Sequence, residues 1–196
     1  MILFWSRFEM KVLFAHGLAS SGAYKTASTL RTLLRPCEVI SPDLPVEPYE
    51  AVALLKEICE REHPDLIVGL SLGGFQAQKL RGYRKILINP DLHPSRLLRT
   101  RIGEMEYLSP RRDGAKSFII SEKTCLEYEE MEKSQFDGLG DAEIALTDGL
   151  FADSDELVHC GAEFEAHYPG HAHTYPGTHL PTFPQIRNYL LPLLDR

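Results

Sequence analysis

Residues 65–80, DLIVGLSLGGFQAQKL, set one hydroxyl among small residues at the end of an apolar run. The run DLIVGL reads as a buried β-strand, and GGFQAQKLR opens a helical pattern straight after it. Gly69-Leu70-Ser71-Leu72-Gly73 therefore matches G-x-S-x-G in the strand–turn–helix setting that this pattern requires. Such a turn forces the serine into a strained conformation, while Gly69 and Gly73 leave room for neighbouring backbone. The bland alternative is a close-packed glycine turn with no chemistry. The setting favours Ser71 as a nucleophile over that alternative.

The rest of the chain supplies a matching framework. KVLFA (11–15), CEVISPDLP, KILINP (85–90), AEIALTD (142–148) and AHTYPGTH read as further strands. Between them lie amphipathic stretches, among them AYKTASTLRTLLR, EPYEAVALLKEICEREH with Pro48 near its start, and the closing LPTFPQIRNYLLPLL. Ser20 or Ser21 is placed to cap the first of these helices. Strands alternating with helices predict an α/β fold with a mostly parallel sheet. The segment FIISEKTCLEYEEMEKSQF reads as a short apolar piece and an acidic helix, a surface or lid element. One domain over 1–196 is expected, with 1–9 an extension or edge strand and about 91–140 partly lid or cap.

Composition narrows the function classes. With 43% hydrophobic and 25% charged residues, 196 residues suffice for one soluble domain with a core. A net charge of -7 argues against a nucleic-acid partner, which needs a basic face. No apolar run reaches the roughly 20 residues that span a bilayer. MILFWSRFEM lacks the basic start of a signal peptide, and Cys37, Cys59, Cys125 and Cys160 are widely spaced without a CxxC. Free thiols and a cytoplasmic location are the expectation.

A serine hydroxyl needs a base, and the base needs a carboxylate to orient it. In the chain order Ser, Asp or Glu, His, the histidine must come late. His179, on a glycine turn between the last strand and last helix, is preferred over His171 and His173. The acid should follow AEIALTD, where Asp148, Asp153, Asp155 and Glu156 are available. Asp155 is preferred, Asp148 is its main rival, and Asp91 is a third candidate. The loop HGLASSG supplies a second oxyanion donor beside the Leu72 N–H, with Leu18 the choice and Gly17 permitting close approach. His16 reads as a partner that orders this loop.

With these pieces in place, the chain resembles the YqiA/YcfP-like esterases, small single-domain α/β hydrolases. The likeness runs over residues 11–194 through HGLASS, SPDLPVEPYEA, VGLSLGGFQAQ, ILINPDLHPSRLL, DSDELV and GTHLPTF. It implies an α/β-hydrolase fold, Ser71 as nucleophile, Asp155 as acid and His179 as base. The chain departs from the family pattern at Gly177-Thr178, at Asp91, and from GAKSFIISEKTCLEYEEM to GLFADS, a divergent cap segment.

The expected activity is cleavage of a small-molecule ester or thioester through an acyl-enzyme, with no metal or organic cofactor. The competing readings are a non-catalytic binding protein on the same scaffold and a metal site among His159, His167, His171 and His173.

Overall fold

The computed structural model describes residues 10–195. Six strands form one sheet: β1 Lys11–Ala15, β2 Glu38–Ile40, β3 Leu66–Leu70, β4 Lys85–Ile88, β7 Thr147–Ala152 and β8 Ala172–Tyr175. Their order is β2-β1-β3-β4-β7-β8, and every pairing is parallel. β1, β3 and β4 are almost wholly apolar because helices cover both faces. The mostly parallel sheet flanked by helices is the α/β-hydrolase architecture expected.

Alternate residues of each strand feed opposite faces. Val12, Phe14, Val68 and Ile86 pack with Ala27 and Leu30 of α1 (Lys25–Leu33) and with the C-terminal helical segment. That segment starts as α8, Phe183–Gln185, and continues as a π-helical turn over Ile186–Leu190 and a 3-10 turn over Leu191–Asp195. On the other face, Leu13, Ile67 and Leu87 meet α2 (Pro48–Glu62), α3 (Leu72–Gln78), α5 (Glu122–Lys133) and α7 (Gly161–His167). Pro48 opens α2, where its missing N–H costs no hydrogen bond.

Register brings the working ends together. Ala15 pairs with Gly69, Leu70 with Ile88, Ile88 with Leu150, and Ala152 with Tyr175. The loops after β1, β3, β4, β7 and β8 thus emerge along one carboxyl edge. The chain order reverses between β1 and β3, the position where parallel α/β sheets open a crevice.

Two readings need correction. AEIALTD is not a strand: α6 covers Asp141–Ala145 and β7 begins only at Thr147. Glu143 is held in helix because its carboxylate receives the buried Lys85 ammonium and the Gly82 N–H. The Asp148-Gly149 pair resembles a turn but lies within β7, where the Phe164 ring packs against Gly149 and leaves no room for a Cβ. Ser20 and Ser21 do not cap α1, whose N-cap is Tyr24 without a side-chain bond. Ser21 Oγ instead accepts the Ala23 N–H at 3.2 Å and bonds Ser109 Oγ at 2.8 Å.

Between β4 and β7 come α4 (Pro94–Arg99), the antiparallel pair β5 (Gly103–Glu106) and β6 (Ser117–Ile120), then α5. Ser121 caps α5 by accepting the Thr124 N–H at 3.0 Å. α5 is more than a surface element. Its Tyr128 is fully buried, receives Gln76 Nε2 at 2.8 Å and donates to the Val46 carbonyl at 3.0 Å. Residues 1–9, read as an extension or edge strand, lie outside the described residues.

Candidate active site

Ser71 lies between β3 and α3 with φ 54° and ψ −118°, a conformation that L-residues rarely adopt. The local packing holds it there. A Cβ on Gly73 would sit 2.3 Å from the Ala15 carbonyl oxygen, and one on Gly69 would sit 2.7 Å from Gly74 Cα. Only glycine lets α3 close this tightly onto β1 and β3. The Ser71 N–H donates to the Ile88 carbonyl at 3.0 Å, tying the turn to β4.

Across the crevice, His179 Nε2 lies 2.9 Å from Ser71 Oγ, and its Nδ1 lies 2.8 Å from Asp155 Oδ2. A carboxylate only accepts, so Nδ1 carries the proton and Nε2 accepts from the serine hydroxyl. The other Asp155 oxygen accepts the Leu157 and Val158 N–H groups at 2.8 and 2.9 Å, which pins the carboxylate. The Glu156 carboxylate accepts the His179 N–H at 3.3 Å.

The rival acids point elsewhere. Asp148 sits in β7 opposite Ile86, toward the amino end of the strand, and its Oδ1 meets His173 Nε2 at 2.8 Å and His171 Nδ1 at 3.2 Å. Asp153 accepts the Gly177 N–H at 3.1 Å. Asp91 lies close to the crevice, donates its N–H to the Ser71 carbonyl at 3.2 Å and accepts the His93 N–H with its carboxylate. Burial pushes the Asp91 carboxyl above the usual carboxylate range.

The loop after β1 reaches the same point. A Cβ on Gly17 would lie 3.4 Å from Ser71 Cβ, and Leu18 lines the cavity beside the serine. His16 holds this loop, donating from Nδ1 to the Gly17 carbonyl and accepting the Leu44 N–H at Nε2, both at 2.9 Å. Burial lowers its pKa to about 4, so the ring stays neutral as this pattern demands. The stretch before β6 clamps the loop from outside. Leu108 N–H donates to the Ala19 carbonyl at 2.7 Å, and Asp43 accepts both the Gly22 and Arg112 N–H groups.

A cavity of about 230 Å³ opens over Ser71 and His179. Its walls are apolar, with Leu18, Leu97, Met105, Val158 and Leu180, while Arg101, Glu106 and Glu156 bring charge to the lining. The sequence reading missed Asn89, whose side chain bonds the His179 carbonyl, and missed Asp43. Both lie in stretches singled out for the resemblance, INP and PDLP; for Asn89 the available signal was a polar residue directly after the buried strand β4.

The histidines weighed as metal ligands are dispersed. His159 is exposed, His167 stacks on Phe136 at 3.5 Å, and His171 and His173 share Asp148. Among the described residues no group of three or more His, Cys, Asp or Glu could hold a metal ion, and no helix is long and apolar enough to cross a membrane.

A family model described as "Uncharacterised protein family (UPF0227)" matches residues 11–137. UPF0227 proteins of Shewanella oneidensis and Shewanella baltica are 32% identical over 88 residues, covering 37% of this chain and 49% of each relative. The match therefore spans about half the length of these curated relatives. Among solved structures, Est1E from Butyrivibrio proteoclasticus superposes with a TM-score of 0.62 at 14% identity, covering 95% of this chain and 89% of that one. A pyrethroid hydrolase from Sphingobium faniae superposes at 0.56 and 14% identity, covering 95% and 96%. At such identities the likeness shows a shared α/β-hydrolase fold.

Proposed function

The chain belongs to the UPF0227 family, which is the YqiA/YcfP family, and we propose that it is a serine hydrolase cleaving carboxylic esters or thioesters. The observation that carries this reading is the continuous relay Ser71 Oγ, His179 Nε2, His179 Nδ1 and Asp155 Oδ2, with contacts of 2.9 and 2.8 Å in a buried crevice.

In the proposed mechanism, Ser71 Oγ attacks the acyl carbon while His179 Nε2 takes its proton. Asp155 holds the ring in the tautomer that can do so and balances the imidazolium. The Leu18 and Leu72 N–H groups stabilise the oxyanion. Leu72 begins α3, so its N–H has no acceptor within the helix. The C–O or C–S bond then breaks, His179 returns the proton to the leaving group, and an acyl-Ser71 remains. Water, deprotonated by His179, attacks the acyl carbon, releases the acid and restores the serine. The steps draw on the chain and water alone.

The apolar walls around Met105 and Val158 suit the acyl group, and a small-molecule substrate fits the cavity better than a polymer. Cys59, Cys125 and Cys160 are buried thiols, which supports a reducing, cytoplasmic setting. A fluorophosphonate probe tests the reading. The expected result is one label per chain, on Ser71, with loss of both labelling and p-nitrophenyl acetate hydrolysis in Ser71→Ala. An unlabelled, inactive wild type would leave a binding protein on a hydrolase scaffold.

A further inference from the structure

Asn89 follows β4 and is buried, with φ at 43°, a left-handed conformation that asparagine tolerates better than other side chains. Its side-chain amide and backbone N–H are all engaged at the carboxyl edge. Its Nδ2 donates to the His179 carbonyl at 2.7 Å and to Tyr175 Oη at 2.9 Å. Its Oδ1 accepts the Ala152 N–H at 2.7 Å, and its own N–H donates to the Leu150 carbonyl at 2.9 Å. A carbonyl can only accept and an amide N–H only donate, so this orientation of the side-chain amide is unique. Tyr175 Oη passes the link on by donating to the Thr178 carbonyl at 3.2 Å.

The same short segment also touches the nucleophile. Asp91 N–H holds the Ser71 carbonyl at 3.2 Å, and Pro90 packs where a Cβ on Gly74 would come within 3.0 Å. Residues 89–91 thus grip the serine turn with one end and the histidine loop with the other. Ala152, on the third arm, lies three residues before Asp155. Asn89 is therefore the point where the three loops carrying serine, acid and histidine are tied into one geometry.

We propose that Asn89 is a positioning residue that sets the His179 ring between Ser71 and Asp155, acting through the His179 carbonyl and the Tyr175 hydroxyl. This rests on the reading of His179 as the base. The physical case is the steep dependence of proton transfer on alignment, where a displacement of about 1 Å costs on the order of 10²-fold in rate. Nothing in the cavity lining involves Asn89, so substrate binding should be spared.

Asn89→Gly isolates the effect, because glycine accepts the positive φ and removes only the side-chain bonds. Expected is a folded variant with KM within about threefold of wild type and kcat lower by about tenfold to a hundredfold. The downfield proton resonance of His179 Nδ1–H, held by Asp155 in wild type, should disappear through exchange. If Asn89→Gly does not fold, Asn89→Asp poses the same question, since it keeps an acceptor for Ala152 and loses both donors. A folded variant with wild-type kcat, or one that loses kcat while the His179 resonance stays in place, overturns the proposal. Failure of the hydrolase reading is separate: wild type would take no fluorophosphonate, yet the His179 resonance would still report whether Asn89 sets the ring.

Discussion

Asp155 and His179 face each other carboxylate to imidazole at 2.8 Å, with side chains only 3% and 5% exposed. Asp148, its main rival in the sequence, commits its carboxylate to two other histidines. The two aspartates should behave differently. Asp155→Asn should lower kcat by about 10³–10⁴-fold, because an amide in that place can favour the wrong imidazole tautomer. Asp148→Asn should leave kcat within a few-fold. Steady-state kinetics on a p-nitrophenyl ester decide it, and a reversed order would unseat Asp155.

Gly73 and Gly17 separate folding from function. Gly73→Ala drives a methyl into the Ala15 and His16 carbonyls at 2.3 and 2.4 Å, so a loss of at least about 1–3 kcal/mol of stability is expected. Gly17→Ala meets the Leu70 carbonyl oxygen and Ser71 Cβ, both at 3.4 Å, close to ordinary contact. It should fold with a near-normal melting temperature and yet react more slowly with the probe. Thermal melts paired with labelling rates check both.

Burial holds His16 neutral, its pKa lowered from 6.5 to about 4. As pH falls through 6.5 the unfolded chain takes up a proton that the folded chain refuses, so stability declines until pH reaches about 4. The full loss is about 3 kcal/mol, from roughly 1.4 kcal/mol per unit. Denaturant midpoints should drop across that window. The His16 ring protons, followed by NMR, should not titrate until its lower end; titration near 6.5 would contradict the buried, neutral role.

Asp43 joins the loop after β1 to the segment before β6 through two N–H groups, at 2.7 and 2.6 Å. Asp43→Ala should loosen both at once. Trypsin should cut after Arg111 or Arg112 faster than in wild type, and ester hydrolysis should fall by about tenfold as the loop proposed to carry the Leu18 donor loses its support. Unchanged proteolysis would show that the clamp does not depend on this carboxylate.

Met105 comes from β5 and lines the cavity over Ser71. Met105→Trp should leave acetate esters close to wild type and reduce kcat/KM for longer acyl chains by at least about tenfold, in the range that lost apolar contacts command. Equal losses across chain lengths would place the acyl group elsewhere.

Ser71 was legible because everything that marks it is local: an apolar strand, two glycines and a helix start within nine residues. His179 was nearly so, through its turn between the last strand and last helix. β7 was not, since Asp148-Gly149 carries a turn signal that the Phe164 ring overrides. Misplacing that strand kept Asp148 in contention, because an aspartate at a strand's end reaches the site and one inside it does not.

By itself, then, the sequence determined the alternation of strands and helices, the serine turn and the candidates for base and acid, all carried by short-range patterns of hydropathy and glycine. Only the tertiary structure decided that Asp155 meets His179, that Asp43 bridges two loops, and that Asn89 ties the histidine loop to β4 and β7. Those contacts join residues up to 90 positions apart. They depend on parallel strand register, which aligns the ends of β4, β7 and β8, and hydrogen bonds formed over a few ångströms leave no periodic trace in the chain.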